Sequence, residues 1–150
     1  MSRVVDVATE SVRIPLARAR VARVADRVLR AEGVRDAALS IAFVTDRRIA
    51  ALNWRHLGHR GPTDVISFGF APSHPGAPLE GDIYIAPEVA RRNAVANRRG
   101  AREELVRLVV HGVLHVLGHD HPEGDARYGS AMWQRQEALL TAVMRSEARA

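Results

Sequence analysis

His111-Gly112-Val113-Leu114-His115-Val116-Leu117-Gly118-His119-Asp120-His121 holds four of the chain's seven histidines. His111 and His115 stand four apart, so on a helix both imidazoles project from one face. Gly118 suits the positive φ that ends a helix, after which the chain can turn back and bring His121 toward the pair. The spacing H-x3-H-x5-H, with glycine at the eighth position, is the ligand spacing of metzincin peptidases. Three histidines with one position left open is a catalytic zinc arrangement, and the chain has no cysteine to close a four-ligand structural site. We therefore expect one Zn2+ per chain on His111, His115 and His121. One position departs from the peptidase pattern: the glutamate that activates water there is Gly112 here. That argues against peptide hydrolysis and for phosphodiester cleavage, in which a metal ion neutralises phosphate charge. His119 is expected to point away from the ion. Asp120 can orient a ligand imidazole, cap the turn or accept a proton, and is the candidate catalytic carboxylate. Glu104, about two helical turns before His111, is the weaker candidate.

Working outward, the histidine pair falls in a helix expected from about Glu103 to Gly118, preceded by one from Pro87 to about Arg99 that Gly100 stops. A last helix is expected from about Gly124 to Ser146, with Met132, Leu139, Leu140 and Val143 facing the core. Toward the N-terminus, Arg3 to Val7 reads as a strand. Pro15 to Glu32 reads as a helix whose stripe is Val21, Val24, Val28 and Leu29. Leu39 to Phe43 alternates as a second strand, and Thr45 or Asp46 can cap a short helix carrying Ile49 and Leu52. Trp54 to Pro62 reads as a loop, Asp64 to Phe68 as a third strand, Ala71 to Glu80 as a Pro- and Gly-rich loop, and Asp82 to Ile85 as a fourth strand. The order β α β α β β α α α implies an α+β domain over 1–150. It has a small four-stranded mixed sheet, about five helices and a zincin-like metal-binding helix and turn. The first β-α-β unit should be a right-handed crossover between parallel strands.

At 150 residues, with 47% hydrophobic and 26% charged residues, the chain is long enough and apolar enough for one packed core. The absence of cysteine excludes disulfides, thiolate metal sites and cysteine nucleophiles. The N-terminus has no apolar signal core and no apolar run is long enough to span a membrane, so the expected location is the cytoplasm. Formal charge is +5, and all 22 basic residues are arginine. Biased codon usage accounts for this composition, and phosphate recognition by planar guanidinium groups is compatible with it. The few aromatic residues are scattered, so grip on a nucleic acid is expected from backbone electrostatics more than from base stacking.

His111 to His121 matches the H-G-x-L-H-x-x-G-x-D-H signature of the YbeY family of bacterial endoribonucleases and rRNA maturation factors. Pro62-Thr63-Asp64-Val65-Ile66-Ser67-Phe68 resembles its P-T-D-V-L-S-F segment, and Gly81-Asp82-Ile83-Tyr84-Ile85 resembles its G-D-I-x-I strand, with Leu52-Asn53 ahead of both. The resemblance implies a metal-dependent, single-strand-specific endoribonuclease acting in 16S rRNA 3′-end maturation and ribosome quality control. It implies zinc on the three histidines. It also implies single-stranded RNA, rRNA or the small ribosomal subunit as partner, together with ribosomal or assembly proteins. The alternative is a zinc-containing ribosome-assembly factor with weak or conditional nuclease activity. The family commonly carries an arginine at the position of Leu57, so Arg60 and Arg55 are the candidate RNA-binding residues in its place.

Overall fold

The computed structural model describes residues 2–148. Four strands, β1 (Arg3–Thr9), β2 (Ala37–Phe43), β3 (Val65–Phe70) and β4 (Leu79–Ile85), form one sheet in the order β1-β2-β4-β3. β1, β2 and β4 run parallel, and β3 lies antiparallel to β4 at one edge. Five α-helices pack with it: α1 (Arg18–Ala31), α2 (Asp46–Leu57), α3 (Pro87–Ala96), α4 (Ala101–Val116) and α5 (Ala131–Ala148). A 3₁₀ turn over Gly124–Gly129 precedes α5. This is the α+β mixed-sheet architecture that the order of apolar segments implies, including the parallel β1-α1-β2 unit.

The core explains the order. α1 buries Val21, Val24, Val28 and Leu29 along one stripe. The central strands contribute Leu39, Ile41, Phe43, Ile83 and Ile85. α4 is apolar on nearly every side: Leu105, Val109, Val110, Val113 and Leu114 are all buried, and the helix lies between the sheet and α5. Each such side chain contributes up to about 1.5–3 kcal/mol on burial, so α4 is the best-anchored helix of the fold. Two close approaches set its height over the sheet. A Cβ on Gly112 would stand 2.7 Å from Ile83 Cγ2, and one on Gly81 would stand 2.5 Å from Val116 Cγ1. Gly112 therefore faces the sheet, which is the physical reason why no peptidase-type glutamate occupies this position.

Several boundaries differ from the sequence expectation, each for a local reason. α1 starts at Arg18 instead of Pro15, and Leu16 is buried ahead of it. α2 continues through Trp54 to Leu57, so Trp54–Leu57 is helical and not loop; Gly58, at φ 69°, supplies the stop. β4 begins at Leu79, inside the expected loop, because it pairs with Ala37 of β2. β1 and β3 each extend two residues further than expected, and β2 begins two residues earlier. α3 ends at Ala96, before Arg98 turns to φ 53°. α4 starts directly after Gly100 and ends at Val116. The last helix is divided. Residues 124–129 form the 3₁₀ turn, and Ser130 Oγ accepts the N–H of Trp133 at 3.2 Å, which caps α5 at a new start.

Candidate metal centre and its cleft

His111 and His115 lie on the last turns of α4, and Gly118 at φ 97° lets the chain leave that helix and return. The return places His121 against both: the ring centroids are 4.6 Å (His111–His115), 5.2 Å (His111–His121) and 5.0 Å (His115–His121) apart. Each residue offers one ligand atom, and these atoms lie within 4.8 Å of one another. Among the described residues this is the one group of histidines and carboxylates so arranged.

Outer hydrogen bonds fix which nitrogen faces inward. His111 Nδ1 lies 2.6 Å from Gln136 Oε1. Gln136 Nε2 donates to the Glu137 carboxylate at 3.1 Å, so its oxygen must be the atom turned to His111. An amide oxygen only accepts, so Nδ1 carries the proton and Nε2 keeps its lone pair. His121 Nδ1 likewise faces the Pro122 carbonyl at 2.9 Å. Burial lowers the pKa of His111 against the opposing Gln136 hydrogen bond. Burial, with His111 and His121 close by, brings His115 to about 4. At neutral pH these two imidazoles are thus uncharged and free to bind a cation. Neutral imidazole nitrogens converging in this way fit Zn2+ or a similar divalent ion.

Gln136 belongs to a buried chain of contacts. It is 1% exposed. Beyond it, Glu137 receives Arg107 at 3.0 Å, and Arg107 also meets Glu104 at 2.8 Å and Glu103 at 3.1 Å. Burial alone would raise the pKa of Glu137, but the Arg107 hydrogen bond and charge hold it below its usual range. Glu104 is thereby committed to Arg107.

Two cavities meet at the histidines. The larger, about 500 Å³, runs between α3, α4 and α5; the smaller, about 280 Å³, runs along β3 to Leu57 at the end of α2. Both are bordered by Asp64, His111, His121 and Arg127. Burial raises the pKa of the Asp64 carboxyl, against backbone hydrogen bonds and the Arg127 charge. Asp64 and Arg127 carry no signal of this role in the sequence taken residue by residue. Asp64 lies inside the P-T-D-V segment, and that segment's position between α2 and β3 was the available clue.

The other expected residues are placed as follows. Asp120 Oδ1 accepts the backbone N–H of His121 at 2.8 Å, holding the turn, and Asp120 borders neither cavity. His119 turns to Glu32, 3.3 Å away. Arg60 lies over the Trp54 ring, 5.5 Å from its centroid, and neither Arg60 nor Arg55 borders the cavities, whereas Leu57 does.

A family model described as Endoribonuclease YbeY matches residues 5–144. An "Endoribonuclease YbeY" of Thermobifida fusca is 38% identical over 150 residues, covering 95% of both chains. Another, from Anaeromyxobacter sp., is 42% identical over 121 residues, covering 78% of this chain and 63% of the relative. The solution structure of TM1509 from Thermotoga maritima superposes with a TM-score of 0.64 at 22% identity, over 97% of this chain and 93% of that one. The last shows the fold alone.

Proposed function

The chain belongs to the endoribonuclease YbeY family, and from that premise we propose that it is a single-strand-specific metallo-endoribonuclease. Its substrate is rRNA, its place is 16S rRNA 3′-end maturation and ribosome quality control, and its working location is the cytoplasm beside the small ribosomal subunit. The observation that carries the reading is the three-histidine cluster at the junction of two cavities. Among the described residues, no helix is long and apolar enough to cross a membrane.

His111, His115 and His121 would hold one Zn2+ through Nε2. When bound, such an ion lowers the pKa of a coordinated water and offsets phosphate charge. The chain's own groups do the rest. Gln136 and the Pro122 carbonyl hold His111 and His121 in the tautomer that leaves Nε2 free. The Arg127 guanidinium, at the junction, binds the phosphate that passes between the cavities. Asp64, whose carboxylate is made a stronger base by burial, would accept the proton that the attacking water gives up. Asp120, engaged with His121 N–H, steadies the third ligand; it remains the second candidate for proton transfer. Arg60 and Arg55, outside the cavities, meet the RNA backbone on its approach.

Two experiments test the reading. Zinc-loaded protein should cleave single-stranded RNA and chelated protein should not. A substrate with a 2′-deoxy nucleotide at the scissile position should still be cut, leaving a 5′-phosphate. Complete resistance, with a cyclic phosphate on the normal product, would assign the attack to the RNA's own 2′-hydroxyl instead.

A further inference from the structure

The larger cavity holds features that the histidine site does not use. At about 500 Å³ it falls within the roughly 300–1,000 Å³ of pockets that enclose small organic ligands. One wall is aromatic: Tyr128 and Trp133 both border it, packed edge to face at 4.8 Å between centroids. Asn93 of α3 borders it too, partly buried, and its side-chain amide has no hydrogen-bond partner among the described residues. A free amide offers two donors and an acceptor, the complement of a base edge.

Charge decides what kind of group enters. Arg107 is one of three arginines that border the cavity, with Arg99 and Arg127, and it is already surrounded by Glu103, Glu104 and Glu137. Arg99 approaches the same Glu104 at 3.9 Å. Both guanidinium groups are thus already turned to Glu104, and a phosphate placed here would have to displace that carboxylate from them. A flat, neutral, hydrogen-bonding group meets no such penalty. Arg127 marks the cavity's mouth, shared with the smaller cavity, as the place for phosphate.

We propose that this cavity is a nucleobase subsite: Asn93 reads the edge of one unpaired base, and the Tyr128–Trp133 wall contacts its face. The base belongs to the nucleotide adjacent to the scissile phosphate. The proposal rests on the nuclease reading for that register, but base binding itself does not require cleavage.

The test has two arms on the zinc-loaded full chain. In the first, the four nucleosides and ribose 5-phosphate are titrated while the Asn93 side-chain amide and the Trp133 indole N–H are followed by NMR. Nucleosides should shift both signals and ribose 5-phosphate neither. Asn93→Leu, a partly exposed position that tolerates the change, should weaken nucleoside binding at least fivefold. Trp133→Phe, which keeps a ring, should weaken it less. In the second arm a single abasic nucleotide is moved along a single-stranded RNA substrate. One position flanking the cut should raise KM roughly tenfold, the scale of one lost base contact. Equal shifts from ribose 5-phosphate, or cleavage that no abasic position affects, would overturn the subsite while leaving the nuclease intact. Nucleoside shifts at both groups in a chain that cuts no RNA would uphold the subsite and defeat the nuclease reading.

Discussion

The two halves of the histidine cluster are built differently. His111 and His115 ride on α4, which is wrapped in buried aliphatic side chains and lowered onto the sheet at Gly112. His121, Arg127 and Tyr128 ride on the segment between Gly118 and Ser130, whose 3₁₀ turn buries no residue. That segment is held by local bonds: the Asp120 carboxylate on His121 N–H, the Ser130 hydroxyl on the Arg127 carbonyl at 2.6 Å, and Arg127 against the Tyr128 ring and hydroxyl. A site that joins a well-anchored pair to a lightly held third ligand is fixed in place by the first half and adjustable through the second. Local opening free energies span such a range within one fold, and ligand-binding segments come from the low end.

The largest effect expected is on metal retention, and it should separate the halves. His115→Ala removes a ligand from the anchored pair and should abolish stoichiometric zinc binding, read by metal analysis after dialysis; full retention would defeat the site assignment. His121→Ala leaves the pair in place and should retain weak binding that a mild chelator removes. Next is Gly112→Ala. The new Cβ meets Ile83 at 2.7 Å and Ser67 Oγ at 3.2 Å, so the helix must lift from the sheet. Overpacking of this kind costs about 1–3 kcal/mol, which denaturant unfolding will read. Gly118→Ala, at φ 97°, should instead disturb His121 placement and zinc affinity with a smaller loss of global stability. Equal stability losses from the two glycine changes would erase the proposed difference.

The same contrast explains what could be read from sequence. The histidine spacing located all three members of the converging cluster, because i, i+4 placement on a helix and a glycine exit are local rules. The sheet's four strands and the parallel β1-α1-β2 unit followed from alternation and from the helical stripe of Val21, Val24 and Val28. Asp64, Arg127, Gln136 and Asn93 were not found. Each comes to the site from a separate element, and only tertiary packing brings them to one place. Arg60 shows the converse: proximity in sequence to Leu57 suggested it for the site, but the extension of α2 to Leu57 turns it onto Trp54. The aromatic wall is not legible in the sequence, because Tyr128 and Trp133 are divided between the 3₁₀ turn and α5 by a break at Ser130.

A pH series on metal-free protein probes the anchored half by itself. His115 titrates at about 4 in the fold, and His111 is also lowered, against about 6.5 in the unfolded chain. The unfolded state therefore binds more protons as pH falls from 6.5 toward 4, and stability must fall over that window. His115→Ala should flatten the decline. A decline that is unchanged in this variant would place the titrating group elsewhere.

Gln136→Leu gives a smaller change than loss of a ligand. It removes the acceptor for His111 Nδ1 while preserving the buried volume, so His111 can adopt either tautomer. Outer partners of metal-binding histidines are typically worth about 10–100-fold in metal affinity or activity. Zinc affinity should fall within that range, and the ¹⁵N signature of the His111 ring should shift toward a tautomer mixture. Retained affinity with an unchanged ring signature would show that the 2.6 Å contact does not hold the ligand.

The smallest effects concern the arginines, and they separate the cleft from its approach. Arg127 stands at the junction of the cavities, where the reacting phosphate is proposed to lie; Arg60 stands outside, its guanidinium over Trp54. Each contact to an RNA phosphate releases about one counterion, so either change to alanine should reduce the slope of log affinity against log salt by roughly 1. What differs is the chemistry. An arginine touching the reacting phosphate stabilises charge that develops in the transition state, so Arg127→Ala should lower kcat as well as affinity. An arginine that meets only the approaching strand contributes uniform binding, so Arg60→Ala should raise KM and leave kcat unchanged. Trp54→Ala frees the Arg60 guanidinium from its ring and should weaken binding by less than Arg60→Ala itself. A fall in kcat for Arg60→Ala, with none for Arg127→Ala, would exchange the two assignments and move the reacting phosphate toward α2.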